Sequence, residues 1–233
     1  AAPTLDTVTV SNNSIVKCST SYSGFVGSWN IYCNDSIINV LNNRGNGSNG
    51  ANYYITDSEV NFLDNGGHGM SAGDIILENA TVLSDNNSGY GVYVNGNFRI
   101  DGTSKMTVTG NSYGGDWAGV NLTAGVTNGF VESGAVVTIT GNYCSGFSSR
   151  GTCVFEEGAK LTITDNYNDK GSASYGGGIY NTKDTAHLTL PSDAVIYNNG
   201  AKTGGDDIYN TGTITFGKVG ADWILDDCDD AID

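Results

Sequence analysis

Proline, histidine and basic side chains are scarce in this 233-residue chain: 2 Pro, 2 His, and 10 Lys plus Arg against 25 Asp plus Glu. So few cations at a formal charge of −15 cannot track a phosphate backbone, which excludes a nucleic-acid binder. The same balance disfavours a polyanionic ligand unless a cation bridges it. No apolar run approaches the roughly 18 residues of a membrane-spanning helix. Long helical periodicity is absent too, so folds that join strands through crossover helices fail. Both histidines, His68 and His187, lie far in sequence from every Cys, and no Cys-x-x-Cys spacing occurs, so no metal site is expected. The start Ala1-Ala2-Pro3 lacks a charged and apolar leader and suits a mature or trimmed form of an exported protein.

What the chain has instead is 34 Gly, 27 Asn, 13 Tyr and 7 Phe, and a repeat. The pattern apolar-x-apolar-x-x-Asn recurs with ladder candidates Asn13, Asn43, Asn65, Asn86, Asn111, Asn142, Asn166 and Asn199. Val137-Thr138-Ile139-Thr140-Gly141-Asn142 is a typical copy. Alternating apolar and Thr positions make each copy a half-buried strand, and Asn ends it because Asn tolerates left-handed backbone. Stacked about 4.8 Å apart, such amides bond one another in an internal ladder. A second, Gly-rich series falls between the Asn copies, as in Ser88-Gly89-Tyr90-Gly91-Val92, Ser149-Arg150-Gly151-Thr152-Cys153 and Gly176-Gly177-Gly178-Ile179. A third, weaker strand follows, as in Phe98-Arg99-Ile100. Three short strands per turn predict an all-β parallel β-helix of roughly eight coils over residues 1–219. Residues 220–233 lack both motifs and read as a C-terminal cap or the start of a linker.

The alternation of a Phe-x-x-Asn element (Phe62-Leu63-Asp64-Asn65) with a Gly-Gly-Ala-(Ile/Leu/Val) element (closest at Gly176-Gly177-Gly178-Ile179) resembles the repeats of chlamydial polymorphic outer-membrane proteins. Similar repeats occur in bacterial and archaeal adhesin-like surface proteins. The resemblance runs over roughly residues 5–216, with Ile, Val or Leu replacing Phe in the other copies. It implies a right-handed parallel β-helix, extracellular, either secreted or anchored at the cell surface. Its functional implication is adhesion to a host-cell protein or glycan, as part of a longer surface protein.

Five cysteines are present, and the close pairs Cys18/Cys33 and Cys144/Cys153 are expected as disulfides, with buried thiols as the rival reading. A loop of about 15 residues closed in this way is worth roughly 3 kcal/mol. Cys228 is left over.

Chemistry is sparse. Gly67-His68-Gly69 and Asp206-Asp207 superficially resemble polygalacturonase motifs, but His68 lies about six coils away from the acids, or near 29 Å. His68 therefore reads as an occupant of a Gly-rich turn. Asp64/Asp85 and Asp206/Asp207 are the remaining carboxylate pairs for a carbohydrate-active enzyme. No catalytic residues are assigned. No cofactor is expected; calcium is the one candidate, at the Asp226, Asp227, Asp229 and Asp230 cluster, which fits a solvated tail better than a calcium loop. Strand alternation sends Tyr93, Tyr180 and Tyr209 outward, together with Ser71, Asn121 and Cys153. Tyr180 and Tyr209 stack with Asn181 and Asn210 flanking them, a face suited to sugar rings or protein loops. Longer segments at 13–38, 111–137 and 166–194 are expected to protrude as recognition loops. A non-catalytic adhesin-like module is the preferred reading, with a carbohydrate-active enzyme or a rigid display stalk as alternatives.

Overall fold

A computed structural model describes residues 7–19, 21–112, 118–168 and 174–217; among them every regular element is a short β-strand. Each strand pairs in parallel with the strand one turn before and one turn after, so the chain winds as a β-solenoid. One face is an 8-stranded sheet from Ile15–Ser19 through Glu59–Leu63 and Val136–Thr140 to Val195–Tyr197, one strand per turn. This is the ladder face. The other two faces share a 14-stranded sheet because one strand, Met70–Glu78, runs unbroken from the first face into the second. Its Met70 end pairs with Val92–Val94 and its Ile75 end with Phe98–Ile100.

Alternation fixes which side chains enter. In Val136–Thr140, Val137 and Ile139 are buried while Thr138 and Thr140 are half-exposed. The register repeats this choice turn after turn, aligning Met106, Val137 and Leu161 in one inner column and Val108, Ile139 and Ile163 in the next. Each buried Val, Ile or Leu contributes about 1.5–3 kcal/mol. Two edge-on aromatic pairs, Tyr53–Phe62 and Phe147–Phe155, are buried in the bore, with ring centroids 5.8 Å and 5.9 Å apart.

The amide ladder is continuous. The Nδ2 of Asn43, Asn65, Asn87, Asn111, Asn142 and Asn166 each donates to the Oδ1 of the next member, ending at Asn199, at 2.8–3.1 Å. Each Oδ1 also accepts the backbone N–H of the preceding member. Ser21 caps the first acceptor, donating both its N–H and its hydroxyl to Asn43 Oδ1. Asp207, fully buried, caps the last donor by accepting from Asn199 Nδ2 at 2.8 Å. Just before each ladder Asn stands a residue of positive φ: Asn42, Asp64, Asn86, Gly110, Gly141, Asp165 and Asn198, at 53–64°. That slot accepts only residue types at ease in the left-handed region, and Asn, Asp and Gly fill it.

The Gly-rich series has a direct cause. A Cβ on Gly69, Gly91, Gly119, Gly146 or Gly178 would lie 2.7–2.8 Å from a ladder Nδ2. The ladder thus demands a bare backbone where the chain enters the first face, and the two motifs are two sides of one contact.

Two ladder candidates are displaced. Asn86 occupies the left-handed slot, exposed, and donates to Asp64 Oδ1; Asn87 is the ladder member. The sequence frame slipped by one because an inner Ser84, aligned with Phe62, stands where an apolar residue was sought, while Leu83 faces outward beside Asn61. Asn13 belongs to a different corner. Its strand, Thr7–Val10, pairs with Asn30–Asn34 on the second face, and Asn13 donates its backbone N–H to Asp35 O. The 13–38 segment is consequently no protruding loop: it contains the first ladder-face strand, Ile15–Ser19.

The expected disulfides are not formed in this structure. None of Cys18, Cys33, Cys144 and Cys153 is in a disulfide. Cys18 aligns with Val40 on the ladder face, whereas Cys33 aligns with Val10 and Ile55 on the second face. Cys153 sits inside the second face, where burial pushes its thiol up, while Cys144 donates to Ser145 O before the first-face strand begins. Consecutive strands of one turn lie on different faces, so closeness in sequence does not bring the sulfurs together. The cap or linker at 220–233, Cys228 and the acidic cluster lie outside the described residues.

Candidate functional site

The outer surface of the first face carries the strongest grouping of recognition side chains. Its register stacks Ser71, Tyr93, Asn121, Ser148, Tyr180 and Tyr209 in one outward column, one per turn. Two aromatic clusters stand along it. At one end Tyr93 lies 5.3 Å from Tyr90 and stacks on His68, with centroids 6.4 Å apart and planes inclined by 14°. At the other end Tyr209 lies 5.7 Å from Tyr180 and 4.4 Å from Tyr175. Three turns separate Tyr93 from Tyr180, about 14 Å at the usual strand spacing. Between the clusters stand the small polar Asn121 and Ser148.

A polar wall borders the column. The residue following each first-face strand is held in line by a backbone hydrogen bond to the previous turn: Thr123 N–H to Val94 O, Arg150 to Leu122 O, Thr182 to Ser149 O, and Thr211 to Asn181 O. Thr123 Oγ1 further donates to Asn95 Oδ1 at 2.6 Å. The Tyr93–Asn121 part of the column and the wall enclose a groove of about 730 Å³ whose lining includes Tyr90, Tyr93, Asn121, Thr123, Arg150 and Lys183, while Tyr175, Tyr180 and Tyr209 stand outside it. No carboxylate lines it among the described residues. The two ion pairs among those residues, Arg99–Glu132 and Lys160–Asp193, involve neither Arg150 nor Lys183.

His68 is held as a neutral ring. Its Nδ1 accepts the Tyr90 backbone N–H at 3.1 Å, and burial pushes its pKa below the ordinary histidine value. The turn position expected for it is the one it occupies, and from there it buttresses Tyr90 and Tyr93.

Of the predicted site residues, Tyr180 and Tyr209 are neighbours, while Tyr93 belongs to the other cluster. Asn181 and Asn210 do not flank the rings. Asn181 is fully buried and donates to Asn210 Oδ1 at 2.8 Å, and Asn210 also accepts the Gly212 N–H. Alternation explains this: if Tyr180 points outward, the next residue points into the bore. Cys153 leaves the outer column as well. The true first-face strand in its turn is Ser145–Ser149, which puts Phe147 inside and Ser148 outside. Asn121 stays, and Thr123, Arg150 and Lys183 were missed. Their signal was positional, one or two residues beyond each first-face strand, and required the correct frame for Ser145–Ser149.

The acidic pairs are engaged elsewhere. Asp207 caps the ladder, and Asp206 Oδ1 accepts the Ala201 N–H at 2.6 Å. Asp64 accepts from Asn86, while Asp85 aligns with Leu63 instead of Asp64. Burial and then the Asp64 charge push the Asp85 carboxyl up. Among the described residues no group of three or more His, Cys, Asp or Glu side chains is placed to hold a metal ion. No described helix is long and apolar enough to cross a membrane.

Comparison of the chain with protein-family models, with curated proteins and with solved structures returns no match.

Proposed function

We propose that this chain is an extracellular, adhesin-like β-helix module that binds a glycan in the first-face groove without transforming it. The observation that carries this reading is the groove itself: the aromatic pair Tyr90 and Tyr93 lines it, with the amides of Asn95 and Asn121 and the hydroxyls of Thr123, Thr182 and Thr211 around it. Flat aromatic faces bury the apolar faces of sugar rings, while amides and hydroxyls bond ring hydroxyls. The groove's volume is within the usual range for ligand sites. Tyr93 and Asn121 sit on strands, and Thr123, Arg150, Thr182 and Thr211 are tied by backbone hydrogen bonds to the previous turn, which lowers the ordering entropy that opposes binding. The repeat resemblance to adhesin-like surface proteins supports the same reading, and a surface partner such as a host glycan follows from it.

The test is a glycan array probed with the wild-type chain and with Tyr90→Ala and Tyr93→Ala. Binding should weaken roughly tenfold in each variant, the effect of losing about 1.4 kcal/mol of aromatic contact. Equal binding by all three proteins removes the groove as the site.

A further inference from the structure

Resting on that reading, we infer that the groove takes an acidic glycan, one carrying a single carboxylate or sulfate held by Arg150 and Lys183. These are two of only ten Lys and Arg residues in a chain of charge −15. Both line the same groove, and the described lining contains no acid to neutralise them. Arg150 is exposed, and its backbone is fixed by the bond to Leu122 O. Its guanidinium fork matches a carboxylate or sulfate through paired charge-assisted bonds.

Lys183 adds an independent observation. Every other described non-glycine residue of positive φ falls between 48° and 71°, whereas Lys183 stands at 150°. Glycine adopts that backbone freely; lysine does so at a cost, and such strain persists where the surroundings impose it and function uses it. Here the turn, closed by the Ala186 N–H to Lys183 O bond, holds the lysine against the groove.

The overall charge limits the ligand. Beyond a Debye length of about 8 Å at physiological salt the −15 field is screened, so one anionic group at the cations is attracted locally. A chain charged on every ring would meet the acidic remainder of the surface and be repelled.

The experiment measures binding by calorimetry with three tetrasaccharides that differ only at one terminal ring: glucuronate, glucose 6-sulfate and neutral glucose. Either acidic probe should bind at least roughly tenfold more tightly than the neutral one, and Arg150→Gln should abolish that margin. Lys183→Gly should reduce acidic binding by a similar factor with no loss of thermal stability, since it removes the cation and relaxes the backbone together. Lys183→Arg should keep acidic binding. Equal affinity for all three probes overturns the charge assignment and leaves the groove reading standing. Absence of binding to any of them overturns both. Tighter binding of a fully charged polyuronate than of the singly charged probe overturns the single-anion form.

Discussion

Replacing Asn111 tests the ladder at its middle. Its Oδ1 accepts from Asn87 N and Nδ2 at 3.0 and 2.9 Å, and its Nδ2 donates to Ser84 O, Thr109 O and Asn142 Oδ1 at 2.9, 2.7 and 3.1 Å. The side chain is fully buried. Asn111→Ala strips the Asn87 N–H of its acceptor and the Ser84 carbonyl of this donor inside the buried bore. At about 1–3 kcal/mol per orphaned group, plus a small cavity, the loss should reach about 3–5 kcal/mol. Asn43→Ala at the first rung should cost about 1–2 kcal/mol, because its Ser21 partner is exposed and turns to solvent. Asn111→Asp is the sharper probe. It keeps the acceptor side but points an oxygen at three oxygens, so burial and those neighbours raise its folded pKa. The pH-dependent part of the penalty is therefore absent below the unfolded value of about 3.9 and grows by about 1.4 kcal/mol per pH unit up to the folded pKa. Urea unfolding followed by far-UV circular dichroism at several pH values measures all three variants against wild type. A mid-ladder loss no larger than the end-ladder loss, or an Asp variant whose deficit is flat with pH, would refute the reasoning.

Other perturbations follow from single contacts. Gly119→Ala puts a Cβ 2.8 Å from Asn142 Nδ2 and 2.7 Å from Gly146 O, and thermal unfolding should register about 2–3 kcal/mol of destabilisation. In the left-handed slot, Gly110→Val should cost more than about 1–2 kcal/mol while Asp165→Gly stays near neutral; chemical denaturation checks the contrast. Because the folded pKa of His68 is depressed, its contribution is intact above the unfolded value of about 6.5 and is lost as pH falls through that value toward the folded pKa. Acidification should thus loosen the Tyr90–Tyr93 end of the groove, and His68→Asn should flatten the pH dependence of glycan affinity in that window.

The solenoid was legible because its cause is local and repeated. Alternating Val-Thr-Ile strands and a terminal Asn carry the same instruction in nearly every turn, and six of the eight proposed ladder members are in place. The two misplacements share an origin. Pattern matching required an apolar residue where Ser84 sits, and it accepted Val8-Thr9-Val10 because the second face uses the same alternation. A slip of one residue reverses the side a chain segment presents, so small framing errors changed which residues looked outward. The same sensitivity hid the groove wall: taking Cys153 rather than Ser148 as the outward residue removed Arg150 from view. The inward turn of Asn181 was available from alternation once Tyr180 was set outward. The thiols were misread because sequence spacing says nothing about which face a strand joins.

The ladder's bonds recur unchanged across sequence separations of 22, 24, 31 and 33 residues. Every internal member hands its neighbours an identical donor and acceptor, so a whole winding can be duplicated or deleted without orphaning either side. Only Ser21 and Asp207 mark the termini, one supplying protons and one receiving them. Such a molecule can lengthen in evolution by copying its middle, while each connecting segment varies independently above an unaltered spine.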